Sequence, residues 1–342
     1  MAVTLYEVAK KVGVSPATVS IAIRGKRAGK FKLAAKTVKN VRRIAKLMGY
    51  RPNMIASSLR NNRTHMIGVV VAALQGDFYG GILNGINQVI RGTSVTPVLA
   101  AHNYNSADER KDLEGFIGKR MDGIIAAYAG CPENADLYLY IMDQLGVPLV
   151  LIDRAIPGLE LPIVRSDHYM QTYKAIMALR DLGHKRILYI TGAPVLESTE
   201  LRKQGYIAAM REENLEEHIK IVAEHPVLDL RIFAKKALDV WQKSSPTATA
   251  LLIQNDLIAY EILAECNTRG IKVPDDLSVM GLDNCFPSSL EGIGLSTVTQ
   301  KPDMIGQKAC ELLLKLTNGQ SWDKEPTILP VEVIMRKTTK AI

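Results

Sequence analysis

The sequence predicts an all-α, helix-turn-helix head followed by a larger α/β body of two Rossmann-like, parallel-sheet lobes. Three observations carry this. First, charge is partitioned. The chain of 342 residues has a formal net charge of +8, but residues 1–65 hold fifteen Lys and Arg against one acid, Glu7, a net +14, and the remainder is net −6. Second, the head is punctuated by Gly, Ser and Pro into short amphipathic helices. Third, apolar runs alternate with helical patterns through the body, and the series restarts near residue 165. Such alternation means parallel strands joined by right-handed crossovers, and two series in tandem mean two similar lobes.

Composition excludes other classes. At 47% hydrophobic and 23% charged residues the chain is ordinary globular protein. No apolar stretch approaches the ~20 residues of a membrane span. Glu7, Lys10 and Lys11 interrupt any signal-peptide core, so a cytoplasmic location is expected. Cys131, Cys266, Cys285 and Cys310 are widely spaced, which fits reduced thiols rather than a disulfide frame or zinc site. The six His residues are scattered, and G-x-S-x-G, P-loop and H-E-x-x-H patterns do not occur; no cofactor, metal or enzymatic activity is expected.

In the head, Thr4 and Glu7 have the spacing of a capping box for a helix ending at Val12, with Leu5, Val8, Ala9 and Val12 on one face. Gly13 stops this helix. Ser15 then caps a second, Pro16 to Arg24, whose first position suits Pro. Val19, Ala22 and Ile23 point inward, leaving Pro16, Ala17, Thr18 and Ile21 outward, short enough to enter a major groove. A third helix spans residues 33–48 with Val38, Val41, Ala45 and Met48 as its stripe. A basic three-helix interaction domain shares this pattern.

The body reads in order as strand 67–72, helix 79–91, strand 96–101, helix 106–119, and strands 123–128 and 148–152. It continues with helix 168–182, strand 186–190, helix 199–213, strand 219–223, helix 230–243, strand 249–253, helix 256–269 and strand 278–282. Ligands of such sheets bind at the carboxyl ends of strands, here in the cleft between lobes.

Two runs in the head, Thr4-Leu5-Tyr6-Glu7-Val8-Ala9 and Gly13-Val14-Ser15-Pro16-Ala17-Thr18-Val19-Ser20, resemble the lac repressor family of bacterial transcription regulators. So do Gly49-Tyr50-Arg51-Pro52-Asn53 and Ala56-Ser57-Ser58-Leu59. The body resembles the family's effector core and the two-lobed periplasmic sugar-binding proteins. It does so through Asp77-Phe78-Tyr79, Asp122-Gly123-Ile124-Ile125, Ile152-Asp153-Arg154, Ser166-Asp167, Gly183-His184-Lys185-Arg186-Ile187, Gly281-Leu282-Asp283 and Leu295-Ser296-Thr297-Val298. The expected domains are a helix-turn-helix domain (1–49), a hinge helix and linker (50–64), and an effector-binding and dimerisation core (65–342). The N-lobe would comprise about 65–164 and 295–327, the C-lobe about 165–294 and 328–342.

The resemblance implies a homodimer whose two heads read a pseudo-palindromic double-stranded operator. Candidate DNA contacts are Thr4, Leu5, Ser15, Pro16, Ala17, Thr18, Ser20, Ile21, Lys26, Arg27, Asn53, Ala56 and Leu59. Leu59 matches the hinge residue that wedges into the minor groove, where unstacking permits a bent site. The resemblance implies effector roles for Asp153, Arg202, Asn255 and Asp283. Phe78 and Tyr79 stand at the N-lobe rim, with rings able to pack on a ligand face. Asp256, at a helix start, reads as an N-cap.

Departures from the family pattern sharpen the expectations. Ile21 stands where most members have Arg or His, so the base contact would be apolar. The link Gly25–Ala35 is longer than usual and basic, adding phosphate contacts. An aromatic is absent after strand 219–223. Arg165 replaces an apolar residue. With Arg154 and Arg202 it makes an electropositive cleft for an anionic effector carrying a carboxylate or phosphate; alternatively Arg154 and Arg165 make surface or interlobe ion pairs. The expected function is a sequence-specific DNA-binding regulator, acting as a repressor, with a small-molecule effector of the sugar class between its lobes. The alternatives are a soluble small-molecule-binding protein and a regulator controlled by a protein corepressor. The chain's last stretch has no heptad tail, favouring a dimer over a tetramer.

Overall fold

The computed structural model describes residues 3–24, 33–51, 63–74, 76–192, 196–223, 229–244 and 247–342. Of the expected sites, Lys26, Arg27, Asn53, Ala56 and Leu59 lie outside the described residues. The chain divides into two compact units, residues 1–64 and 65–342.

The first unit is helical: α1 (Leu5–Val12), α2 (Pro16–Arg24) and α3 (Ala35–Leu47). Thr4 and Glu7 form the capping box at α1, satisfying two otherwise orphaned amide donors. Gly13 ends α1 at φ 74°, a conformation Gly adopts without Cβ strain. Ser15 accepts from the Thr18 amide at 3.1 Å, capping α2. Val8, Ala9, Val19, Ala22, Val41 and Ala45 form the core, one pair from each helix. From α3, Arg42 Nε donates to the Ala22 carbonyl at 2.9 Å, placing a cation at the carboxyl-terminal end of α2, where the helix dipole favours one.

The second unit holds two parallel sheets. Its N-lobe elements are β1 (Met66–Val71), α4 (Asp77–Ile90), β2 (Thr96–Ala101), α5 (Ser106–Gly118), β3 (Gly123–Ala126), α6 (Ala135–Leu139), β4 (Leu149–Ile152) and β5 (Ile163–Ser166). The C-lobe follows with α7 (His168–Asp181), β6 (Ile187–Thr191), α8 (Glu197–Glu212), β7 (Lys220–Ala223), α9 (Leu230–Gln242), β8 (Ala250–Ile253), α10 (Asp256–Thr268) and β9 (Ser278–Met280). Then come β10 (Thr297–Thr299), α11 (Pro302–Thr317), β11 (Thr327–Leu329) and β12 (Glu332–Ile334).

The N-lobe sheet runs β2-β1-β3-β4-β5-β11 and the C-lobe sheet β7-β6-β8-β9, so each lobe repeats one strand order. β10 and β12 pair antiparallel and join the C-lobe sheet through bridges Met280–Ser296 and Asp283–Thr299. The chain therefore crosses between lobes three times: after β5, between β10 and α11, and between β11 and β12.

Strand alternation sorts side chains to the two faces. In β1, Ile67, Val69 and Val71 pack beneath α4 and α11, whereas Val70 packs beneath α5 and α6. Helices α4 and α11 touch backbone to backbone at two glycines. A Cβ on Gly85 would lie 2.0 Å from the Asp303 carbonyl oxygen, and one on Gly306 would lie 1.9 Å from that of Ile82. Buried polar groups are paired into the frame. Glu109 accepts from the Ala129 amide, Asn134 Nδ2 and the Tyr138 hydroxyl. Among the described residues no helix is long and apolar enough to cross a membrane, and no cluster of three or more His, Cys, Asp or Glu is placed to hold a metal.

Candidate functional site

The head offers one surface and the core one cleft. On α2, Ser15 and Ala17 are exposed and Pro16, Thr18, Ser20 and Ile21 half-buried. Ile21 is not among the residues packed on the head core, consistent with an outward side chain. The Ser15 and Thr18 hydroxyls bond each other at 2.9 Å. Thr4 is engaged in its capping box, and Leu5 packs partly against the core, so each keeps a structural partner beside any DNA role. Tyr6, absent from the candidate set, is 73% exposed; its phenol can donate to a phosphate. Exposed Lys10, Lys11, Lys36, Lys39, Arg43 and Lys46 supply positive charge.

In the core, Asp153 follows β4, Arg202 lies on α8, Asn255 follows β8, and Asp283 follows β9. Thus both lobes deliver candidates from strand ends, joined by one turn of α8. Asp153 and Asp283 take positive φ, 72° and 128°. Non-glycine residues adopt such angles at a cost of order 1–3 kcal/mol, and they cluster at functional sites.

Asp153 is the hub. Its Oδ2 accepts from Arg154 Nη2 (2.7 Å), Arg154 Nε (3.0 Å) and the Tyr79 hydroxyl (3.1 Å). Arg154, 3% exposed, also donates to the Tyr79 oxygen at 2.7 Å and lies over the Tyr104 ring at 5.4 Å, a cation–π arrangement. Burial alone would raise the Asp153 pKa, but Arg154, His168 and Arg202 outweigh it and hold the carboxylate below its usual range. His168 donates from Nε2 to the Asp153 carbonyl at 2.6 Å. Burial, then Arg202, pushes its pKa down to about 3. The ring is neutral, and its Nδ1 is left as an acceptor.

Arg202, 8% exposed, donates from Nε to Gln171 Oε1 at 2.9 Å. Its charge also acts on Asp153, His168 and Asp283. Asp283 accepts from Gln300 Nε2 at 2.5 Å. Burial dominates there and lifts its pKa to about 8, against Arg202, so at neutral pH it is mostly a protonated donor. Among the described residues six buried side-chain polar atoms have no hydrogen-bond partner, Arg154 Nη1, Arg165 Nε, His168 Nδ1, Gln171 Nε2, Tyr189 Oη and Gln300 Oε1, and they gather around this cluster. Unpaired buried groups each cost about 1–3 kcal/mol, so a cluster at strand ends points to a ligand.

Several expectations change. Tyr79 is buried in the N-lobe core and presents its hydroxyl rather than an open ring face. Phe78 stands edge-on to it at 5.1 Å and packs on the same core. The aromatics exposed here are Phe286, 70% exposed, and Tyr104, 45% exposed. The N-cap of α10 is Asn255, whose Oδ1 accepts from the Ile258 amide at 2.9 Å, which leaves its amide NH2 for a ligand. Asp256 instead ties the β9–β10 connection, accepting from the Cys285 amide, Ser288 and Thr297. Arg154 pairs with Asp153 and Arg165 with Glu197. The interlobe ion pair is the one at Arg165, whereas Arg154 makes a buried pair with its neighbour Asp153 inside the N-lobe, and Arg202 bonds the neutral Gln171. Sequence reading missed Gln300, Gln171, His168 and Tyr104; Gln300 follows β10 directly, but a three-residue strand gives almost no periodicity signal.

Comparison with known proteins follows the same division. Residues 4–53 match the model of "Bacterial regulatory proteins, lacI family", and residues 176–339 match a periplasmic binding protein-like domain. Catabolite control protein A of Priestia megaterium is 28% identical across 99% of this chain and all of its own length. The HTH-type transcriptional repressor CytR of Escherichia coli is 28% identical across all of this chain and 97% of its own. The lac repressor dimer bound to operator and the anti-inducer ONPF superimposes with a TM-score of 0.84 at 25% identity, over the full length of both chains.

Proposed function

We infer that this chain is a member of the lacI family of bacterial regulatory proteins and that its two units divide the work. The protein is a DNA-binding transcriptional regulator, a repressor whose head binds operator DNA and whose core binds a small-molecule effector. In our reading it works in the cytoplasm as a homodimer, two heads on two half-sites, and as a regulator rather than a catalyst. Thr4, Leu5, Ser15, Pro16, Ala17, Thr18, Ser20 and Ile21 form the described part of the DNA surface. Asp153, Arg154, Arg202, Asn255 and Asp283, with Gln171 and Gln300, form the effector site. Arg165 and Tyr79 hold that site's walls.

One observation carries the effector class: the buried, unpartnered atoms are both donors and acceptors. A ligand rich in hydroxyls satisfies both kinds at once. The anionic group of a sugar acid or phosphate satisfies only donors, and would face the Asp153 carboxylate. A neutral polyol of the sugar class therefore fits better than a sugar acid or phosphate. A thermal-shift screen of neutral pentoses and hexoses against their acids and phosphates tests this. A stabilising neutral sugar is expected. Stabilisation by the phosphorylated forms alone would overturn the assignment.

A further inference from the structure

The two lobes touch at the rim of the cleft through a carboxylate that the effector site does not use. Glu197 is the first residue of α8 in the C-lobe, where the helix dipole favours an acid. Its Oε1 lies 3.2 Å from Arg165 Nη2, on β5 of the N-lobe sheet. Its Oε2 accepts from the amide of Ala155, also N-lobe, at 3.1 Å. That amide follows Asp153 and Arg154 directly, and one turn beyond Glu197 the same helix carries Arg202. A single side chain thus grips the strand end and the helix that supply facing halves of the cleft.

The grip is tight. The neighbouring Leu196 packs its Cδ2 over Gly130 of the N-lobe, 2.1 Å from where a Cβ would stand, at a position whose φ of 92° itself favours Gly. The Arg165 and Glu197 side chains are 14% and 22% exposed, enough shielding to strengthen the pair and enough contact with solvent for salt to weaken it. A second rim contact, Asp77 Oδ2 to the Phe286 amide at 3.0 Å, joins a charge to a neutral donor. Separating the lobes breaks both, but only the first sets two formal charges apart.

We propose that Glu197 is the latch of the core. Its carboxylate holds the lobes closed over the cleft through Arg165 and the Ala155 amide, and makes the closed population fall as ionic strength rises. The inference rests on the cleft being the effector site, and gives that site a salt-dependent set point. Glu197 acts as a positioning residue: it biases which lobe arrangement the effector meets.

Pulsed electron resonance on the full chain tests it without any effector. Spin labels replace the exposed Asp143 (N-lobe) and Lys243 (C-lobe), and doubly labelled chains are diluted into unlabelled protein so that only distances within one chain are read. At about 0.05 M NaCl the short distance should dominate, and its ratio to the long one should fall roughly two- to fivefold at about 0.5 M, the range of a partly shielded ion pair. Glu197→Gln should show the reduced ratio already at low salt and lose most of the salt response. Arg165→Gln should behave the same way, a check from the opposite lobe. Glu213→Gln, which removes a pair with Arg180 inside the C-lobe, should behave as the parent. Unchanged distance distributions in both latch variants, or a parent-like salt response in Glu197→Gln, would overturn the proposal. Because no ligand enters, that failure leaves the effector assignment standing. Conversely, failure of every neutral sugar in the melting screen would overturn the effector class while the lobe distances and their salt response stayed as predicted.

Discussion

At the residue scale the cleft is a set of charges whose protonation is decided by neighbours. Asp153 stays ionised because Arg154 and Arg202 offset its burial, whereas Asp283 lacks a direct cationic bond and is lifted to about 8. Two predictions belong here. Arg202→Ala should spare operator binding and weaken the effector by about 10- to 100-fold, as loss of a charged donor does. A gel shift on the protein's own upstream region, titrated with the sugar found by the melting screen, checks this; an undiminished response would count against the site. The second concerns pH. The folded protein keeps a proton on Asp283 that the unfolded chain releases, so this residue's contribution to stability is fullest below pH ~4 and is lost as pH rises toward ~8. His168 has the opposite sign: folded, it resists a proton the unfolded chain takes, so its contribution grows between pH ~3 and ~6.5. Asp256, raised to about 6, adds to the Asp283 trend below that pH. Above pH ~6.5, of these three only Asp283 still titrates. The parent's melting temperature should therefore fall from pH 6.5 to 8.5 in roughly that window, and Asp283→Asn should flatten the fall.

At the element scale the helices are fixed by their ends and by glycine contacts. Thr4→Ala removes the capping-box acceptor of α1 and should cost about 1 kcal/mol of head stability, read as earlier melting of the helical amides by NMR. The pair α4 and α11 gives a sharper contrast. Gly85→Ala drives a methyl into the Asp303 carbonyl and should destabilise the core by about 1–3 kcal/mol or more. Gly80, one turn earlier on α4, has open space around its Cβ position, and Gly80→Ala should stabilise by about 0.5–1 kcal/mol. Chemical denaturation of the two variants should shift in opposite directions. Helices α1, α2, α5, α7, α9 and α10 were legible from an apolar stripe together with a side-chain cap, whereas α11, which starts at Pro302 without one, was not read from the sequence. The stretch 135–144 was also missed: five α-helical residues run into a π-helical turn, too short and irregular for a 3.6-residue period.

At the scale of the whole molecule, charge and topology assign the two jobs. With +14 confined to the first 65 residues, operator affinity should fall steeply and log-linearly with salt. A fluorescence anisotropy titration across NaCl concentrations measures the slope. Neutralising Lys36 and Lys39 should flatten it by up to about one unit for each phosphate that no longer meets a cation. Effector closure is a separate process within the core, and its own salt response runs through the Arg165–Glu197 pair. Ionic strength therefore acts on this regulator at two places, and the lobe-distance measurement separates them.

By itself the sequence determined the division into a basic helical head and a two-lobed α/β body, the helix-turn-helix punctuation, and the strand-end positions of Asp153 and Asp283. These are written in local patterns: charge along the chain, periodicity of 2 or 3.6, and caps. The tertiary structure decided what each of those residues touches. Tyr79 turns its hydroxyl into the site and buries its ring, Asn255 takes the helix cap expected of Asp256 while Asp256 ties the β9–β10 connection, Arg165 meets Glu197, and Gln300 enters from just beyond a strand of three residues. Every one of these partnerships joins residues that the chain's three crossings between lobes, or the turn at a strand end, bring within hydrogen-bond reach. Local periodicity encodes which face a side chain occupies, but not which distant side chain will stand opposite.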